Sequence, residues 1–128
     1  MIAIDTNVLV RYFAQDDATQ SARAGEFLEH ELSPDQPGFV ASVVLVELIW
    51  VLDGIYAVPT AGIIQIIERL LNARTLVVEH SDAVERALHL AHGDLADALI
   101  HEIGNLAGCA KTVTFDKKFA RLAGVELL

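Results

Sequence analysis

The chain has 128 residues, of which 53% are hydrophobic, and carries a formal net charge of −9 from 18 acids against 9 lysines and arginines. This length suits one domain with a sizeable core, and the acidic balance argues against a protein that holds nucleic acid by bulk electrostatic attraction. Cys109 is the only cysteine, which excludes an internal disulfide.

The first thirty residues predict a strand, a turn and two helices. Residues 1–5, MIAID, are a short apolar run that ends in an acid, and an apolar segment with helical potential follows the turn. Asp17 and Gln20 have the spacing of a capping box, which indicates a second helix that continues to about Glu31.

The middle of the chain predicts a second strand and two further helices. The strand is GFVA at 38–41, and Ser42 is a candidate N-cap for a helix over about 43–55. Because the early part of that helix is apolar on every side except at Glu47, we expect it to be buried. A helix that starts at Pro59 has a wide apolar stripe, which could face the core or a dimer interface.

The last third continues the alternation of strands and helices. Its elements are a strand at 75–79, a helix over about 81–92, a helix that Asp94 can cap and Gly108 can end, a strand at 111–116, a short helix from Lys117 and a strand at 125–128. The pattern predicts an α/β fold: one domain over residues 1–128, with a central parallel sheet of four to five short strands and helices on both faces.

Four carboxylates lie in or at the ends of apolar segments: Asp5, Glu47, Asp97 and Asp116. Asp5 and Asp116 end predicted strands, where parallel sheets bind ligands, and the other two lie in first turns of helices, where the dipole favours anions. Like charges held close together need a cation. A donor set of oxygens alone favours Mg²⁺ or Mn²⁺ over Zn²⁺.

Each acid also has a plainer structural interpretation. Asp5 and Asp116 could simply cap the helices that follow them, and Asp94 is most simply an N-cap. Asp97 shares a helix face with Asp94 and is the better ligand of the two. Glu47 has no basic residue one turn away, so a structural role would require a distant arginine or lysine.

The remaining polar residues give weaker signals. His89, His92 and His101 lack a further ligand at usual zinc spacing, so we expect surface or partly packed imidazoles, although His101 could support a metal ligand or touch substrate. Thr114, two residues before Asp116 on a strand, could share its face. Several basic residues could contact phosphate, namely Arg11, Lys111, Lys117, Lys118 and Arg121, and we expect Arg11, Lys117 and Lys118 to bind substrate.

Four segments, IDTNVL, SVVLVELIWVL, GDLADALI and TVTFDKKF, resemble in this order the PIN-domain ribonucleases, and most of all the VapC-type toxins of prokaryotic toxin–antitoxin pairs. The resemblance covers the chain end to end. It implies that the family's four acids are Asp5, Glu47, Asp97 and Asp116. The accessory polar positions that it implies are Asp94, Asn7, Thr6 and Thr114.

The resemblance also implies a function. It implies Mg²⁺- or Mn²⁺-dependent endonucleolytic cleavage of RNA, a homodimer, and a small antitoxin protein that occupies the groove. One or two cations held by Asp5, Asp97 and Asp116, with Glu47 bound directly or through water, would activate water for attack on a phosphodiester. No nucleophilic side chain is required.

Three other functions stay open at this point. A receiver-like phosphoacceptor usually needs an acidic pair after its first strand, and this chain has only Asp5 there. The acids could instead hold metal in a catalytically silent interaction module, or the substrate could be DNA.

Since no basic leader precedes an apolar stretch and no apolar run approaches the roughly 18 residues of a membrane span, we expect a cytoplasmic protein.

Overall fold

A computed structural model describes residues 1–90 and 93–128 of the chain. The strands in these ranges are β1 (Ile2–Ala3), β2 (Gly38–Val40), β3 (Leu76–Val78), β4 (Thr112–Thr114) and β5 (Val125–Leu127). The α-helices are α1 (Thr6–Ala14), α2 (Ala18–Glu26), α3 (Ser42–Gly54), α4 (Thr60–Asn72), α5 (Ser81–Leu90) and α6 (Leu95–Leu106). Helix α2 runs on into a π-helical turn over Phe27–Glu31.

Backbone contacts divide the chain into two compact units, Met1–Glu79 and His80–Leu128. The first unit contains a three-stranded parallel sheet in the order β1-β2-β3, in which Ile2 lies opposite Gly38 and Gly38 opposite Leu76. A Cβ at Gly38 would collide with the end of the Ile4 side chain, so a larger residue there would require that side chain to move.

Aliphatic side chains fill the core of the first unit. Helix α1 packs against α2 and α3, and α4 packs against α3 and β3. The side chains that are almost completely buried there are Leu9, Val40, Leu45, Leu48, Leu52 and Ile67.

The second unit pairs two helices with a two-stranded sheet. Strands β4 and β5 are parallel, with Thr112 opposite Val125 and Thr114 opposite Leu127. Helices α5 and α6 pack against each other through small and branched side chains, among them Val84, Ala87 and Leu99. A single 3₁₀ turn, Phe119–Arg121, stands where the sequence predicts a short helix.

The predicted α/β class is confirmed, and all five strands occur where the sequence predicts them. Their hydrogen bonds divide them into the three-stranded and the two-stranded parallel sheets, where we had expected one central sheet. The single domain over residues 1–128 stays a prediction. The predicted end of the fifth helix, at about residue 92, lies outside the described residues.

Two details of α3 differ from the prediction. The helix is not buried on every side: Val43 is 65% exposed and Trp50 64%, on the face that also carries exposed Glu47. A helix can bury only the faces that meet a neighbour, however apolar the rest is. Ser42 is not its N-cap either, because the backbone N–H of Ser42 donates to Glu79 Oε1 at 2.9 Å and the Ser42 hydroxyl is left without a partner in the described residues.

Cys109 is exposed. None of the helices in the described ranges has the length and apolar character that crossing a membrane requires.

Candidate functional site

The start of α6 presents two carboxylates. Asp94 is its N-cap, and its Oδ1 accepts a hydrogen bond from the backbone N–H of Asp97 at 3.0 Å. Asp97 itself is half-buried in the first turn. The predicted cap is therefore present, and it leaves the Asp97 carboxylate free of this bond and on the helix face shared with Asp94.

Asp116 stands at the turn after β4. One of its carboxylate oxygens accepts the backbone N–H groups of Lys118 at 2.8 Å and Phe119 at 3.1 Å, which fixes the side chain over the 3₁₀ turn. The backbone N–H of Asp116 donates to Thr114 Oγ1 at 3.0 Å. Thr114 thus supports the loop that carries Asp116.

One open cavity of about 470 Å³ brings these acids together within the second unit. Its polar wall consists of Asp94, Asp97, Asp116, Lys118 and Arg121, and its apolar wall includes Leu90, Phe119 and Leu122. Three carboxylates and two cations therefore share one concave surface.

The carboxylates in this cavity act on one another electrostatically. The pKa of Asp97 is raised above its ordinary value, first by burial and then by the negative charges of Asp94 and Asp116. Burial and like charge both disfavour the ionised carboxylate, and a bound cation would relieve both. Oxygen ligands of this kind suit a hard divalent ion.

Lys118 and Arg121 give the cavity its positive side. Both are exposed, and neither takes part in an ion pair within the described residues. Lys117 is also exposed. Two unpaired cations beside an acidic cluster can hold the phosphates that flank a reacting one.

The first unit contains a separate cavity of about 500 Å³, whose wall includes Asp5, Asn7, Arg11 and Arg23. Asp5 is the N-cap of α1 and accepts the backbone N–H of Thr6 at 2.7 Å. Thr6 is buried, and its hydroxyl has no hydrogen-bond partner among the described residues. Asp5 and Asn7 are thus neighbours on one concave surface.

The guanidinium of Arg11 already has partners. Its Nε donates to Gln20 Oε1 at 2.6 Å, and its Nη1 donates to Asp16 Oδ1 at 3.0 Å. Since the charge of Arg11 is balanced in this way, Lys118 is the better candidate for a phosphate contact among the basic residues predicted from the sequence.

The structure places some of the predicted site residues in two groups, and Glu47 lines neither cavity. Asp94, Asp97 and Asp116 share the cavity of the second unit, and Asp5 and Asn7 share that of the first. In residues 1–90 and 93–128, no group of three or more histidine, cysteine or acidic side chains is placed to hold a metal ion. The four-acid ligand set therefore stays a prediction.

Sequence reasoning missed two polar roles. Glu79 caps α3 although it follows β3, and the signal was available, because Glu79 ends a predicted strand just as Asp5 and Asp116 do. His101 is buried and hydrogen-bonded, where a surface or partly packed imidazole was expected. The predicted imidazole at His92 lies outside the described residues.

Comparison with known proteins identifies a family. A family model described as PIN domain matches residues 2–125 of the chain. No curated protein matches it. The match spans the acids of both cavities.

Proposed function

From the membership of this chain in the PIN-domain family, we propose that it is a Mg²⁺- or Mn²⁺-dependent endoribonuclease that acts as the toxin of a type II toxin–antitoxin pair. PIN domains are generally nucleases, so the chain is a hydrolase that acts on nucleic acid. One observation carries the finer proposal: three carboxylates and two unpaired cations line the same cavity.

The proposed ligand set is Asp5, Glu47, Asp97 and Asp116. Burial raises the pKa of Asp97, and the charges of Asp94 and Asp116 raise it further, which supports a cation there. The donors are oxygens only, which fits Mg²⁺ or Mn²⁺. When bound, the ion would supply Lewis-acid chemistry, lowering the pKa of water and neutralising charge on the phosphodiester.

Side chains of the cavity would orient the ligands and the substrate. The backbone N–H groups of Lys118 and Phe119 already hold the Asp116 carboxylate in place. Its remaining lone pairs can therefore bind a ligand without a further loss of side-chain conformational entropy. Lys118 and Arg121 would bind phosphates of the substrate strand and align it with the acids. Leu90 and Leu122 keep one wall apolar, which strengthens electrostatic interactions beside it.

The remaining parts of the proposal come from the sequence resemblance. They are a cognate antitoxin protein, a homodimer and a cytoplasmic location. A short reading frame with a DNA-binding N-terminal half beside this gene would support the antitoxin, and sedimentation equilibrium of the purified chain would measure the subunit number.

Cleavage of labelled RNA by the purified chain tests the proposal. Cleavage should require Mg²⁺ or Mn²⁺ and stop with EDTA, and Asp97→Asn or Asp116→Asn should slow it by roughly 100-fold. Asp35→Asn, which removes the same charge from an exposed loop position, is the matched control and should cleave normally.

Two results would redirect the proposal. Metal binding without cleavage of any RNA would make the chain a silent interaction module. Faster cleavage of deoxyribose than ribose strands in direct competition would make it a DNA-directed nuclease.

A further inference from the structure

We propose that His101 is a positioning residue that joins α6 to β4 and so sets the separation of the Asp97 and Asp116 carboxylates. The inference rests on the proposed function, because it gives this separation a role in metal binding. All the groups concerned lie in the second unit.

His101 is 4% exposed and has a polar partner for each ring nitrogen. Its Nδ1 lies 2.9 Å from Thr112 Oγ1 on β4, and its Nε2 lies 3.2 Å from Asn105 Nδ2, one turn further along α6. Gly124 lies against the ring, where a Cβ would come within 3.0 Å of His101 Cε1. The imidazole thus has little room to turn.

The partners of the ring also fix where its proton lies. The Asn105 amide nitrogen is a donor, and it faces the Glu102 carboxylate at 3.5 Å as well as His101 Nε2. With the amide in this orientation Nε2 is the acceptor, which assigns the proton to Nδ1 as the donor to the Thr112 hydroxyl. Glu102 is buried and is held in turn by Arg86 Nε at 2.8 Å.

This chain of contacts connects the two elements that carry the acids. Asp97 lies one turn before His101 on α6, and Thr112 opens the strand that leads to Asp116. The bond between His101 and Thr112 therefore crosses from one acid-bearing element to the other. A buried imidazole held by both nitrogens resists small displacements of α6 along β4 better than an aliphatic side chain, because its hydrogen bonds are directional.

A pure packing role accounts less well for these contacts. An aliphatic residue would fill the space without removing polar atoms from water, whereas burying an imidazole costs free energy unless its partners are in place. The imidazole adds directional hydrogen bonds that fix the position of α6 relative to β4. Groups that hydrogen-bond directly to metal ligands typically change metal affinity or activity by roughly 10–100-fold when they are removed, and we expect the lower end of this range for His101, which acts through α6 and β4.

The test uses the full chain and two substitutions of Thr112. Thr112→Val removes the hydroxyl but keeps the branched shape, and Thr112→Ser keeps the hydroxyl. Val113→Thr on the other face of β4 is the matched control. For each protein we would measure Mn²⁺ affinity by calorimetry, steady-state RNA cleavage, and the side-chain ¹⁵N spectrum of His101 without metal.

We expect the wild-type ¹⁵N spectrum to show the proton on Nδ1. Thr112→Val should bind Mn²⁺ roughly tenfold more weakly and lose kcat by a similar factor, with KM for RNA changed by less than about twofold. Thr112→Ser should restore both values, and Val113→Thr should match wild type. Far-ultraviolet circular dichroism should show that all four proteins are folded.

Several results would overturn the inference. They are a proton on Nε2, wild-type Mn²⁺ affinity in Thr112→Val, or failure of Thr112→Ser to restore it. If Thr112→Val proves unfolded, the test uses His101→Asn and His101→Leu instead. The Asn amide nitrogen can take the place of Nδ1 as a donor to Thr112, so His101→Asn should bind Mn²⁺ more tightly than His101→Leu. Equal Mn²⁺ affinity of these two variants would also overturn the inference. A wild-type chain that neither binds Mn²⁺ nor cleaves RNA would instead refute the proposed function, and the inference with it.

Discussion

Among single residues, Asp97 has the environment that most favours a bound cation. Its carboxylate is half-buried, and two further acids raise its pKa. Asp97→Asn removes a repelled charge but also removes a favourable one from the first turn of α6, so metal-free stability should stay within about 1 kcal/mol of wild type. Thermal melts without metal measure this.

The same substitution should abolish stabilisation by metal. At a Mn²⁺ concentration of about 100 times Kd, the free energy of unfolding of the wild-type chain should rise by roughly 2.7 kcal/mol. The free energy of unfolding of Asp97→Asn should hardly change. Asp35→Asn serves again as the control and should gain as much as wild type. An equal gain in Asp97→Asn would show that the ion binds elsewhere.

Asp16 gives a prediction that depends on pH. The hydrogen bond from the Tyr56 hydroxyl is the largest cause that lowers the pKa of Asp16 below its ordinary value of 3.8, and Arg11 acts in the same direction. A lowered folded-state pKa contributes stability that is present above pH ~4 and is lost as the pH falls through the folded value.

Tyr56→Phe should therefore lower the melting temperature at pH 7, and the difference from wild type should shrink as the pH falls below the ordinary pKa of aspartate. Thermal melts of both proteins at several pH values measure this difference in melting temperature. A difference that is the same at pH 7 and in acid would point to lost packing and not to the hydrogen bond.

Among the elements, α3 depends on a contact that is distant in the sequence. Its first N–H donates to Glu79, 37 residues away, while the Ser42 hydroxyl has no partner in the described residues. Glu79→Ala should cost about 0.5–2 kcal/mol, the usual value of a lost N-cap. Ser42→Ala should be nearly neutral. Urea unfolding measures the free energy of unfolding of both variants. A larger loss of stability in Ser42→Ala than in Glu79→Ala would show that Ser42 is the N-cap.

The same helix shows what the sequence could and could not predict. The caps at Asp17 and Asp94 were predictable because donor and acceptor are three residues apart. The Glu79 cap and the bond between His101 and Thr112 join residues that are distant along the chain, so no local pattern identifies the partner, even for Glu79, whose place at a strand end is visible in the sequence. Hydropathy also could not show that Val43 and Trp50 face outward, since it reports how apolar a helix is and not which faces neighbours cover.

The candidate site was predictable in part for a similar reason. Asp94, Asp97 and Asp116 follow from strand ends and helix starts, which are local features. Arg121 was one of several basic residues near the C-terminus, and only the fold distinguishes it from Lys117 as part of the cavity wall.

At the scale of the whole molecule, net charge decides how nucleic acid can bind. A chain of formal charge −9 repels phosphates at long range, and only local cations attract them. We expect binding of a short labelled RNA to strengthen by about tenfold or more when Ca²⁺, which also takes oxygen ligands, replaces EDTA. Fluorescence anisotropy measures it, and equally tight binding in EDTA would mean that the basic residues suffice.

The exposed face of α3 has a practical consequence. Trp50 is the only tryptophan in the chain and is 64% exposed beside Glu47, so the intrinsic indole emission reports on that face alone. In the isolated chain the emission should be that of a hydrated indole and should be quenched readily by acrylamide. Anything that covers α3 would shift the spectrum to the blue, so an unlabelled sample can reveal such an association.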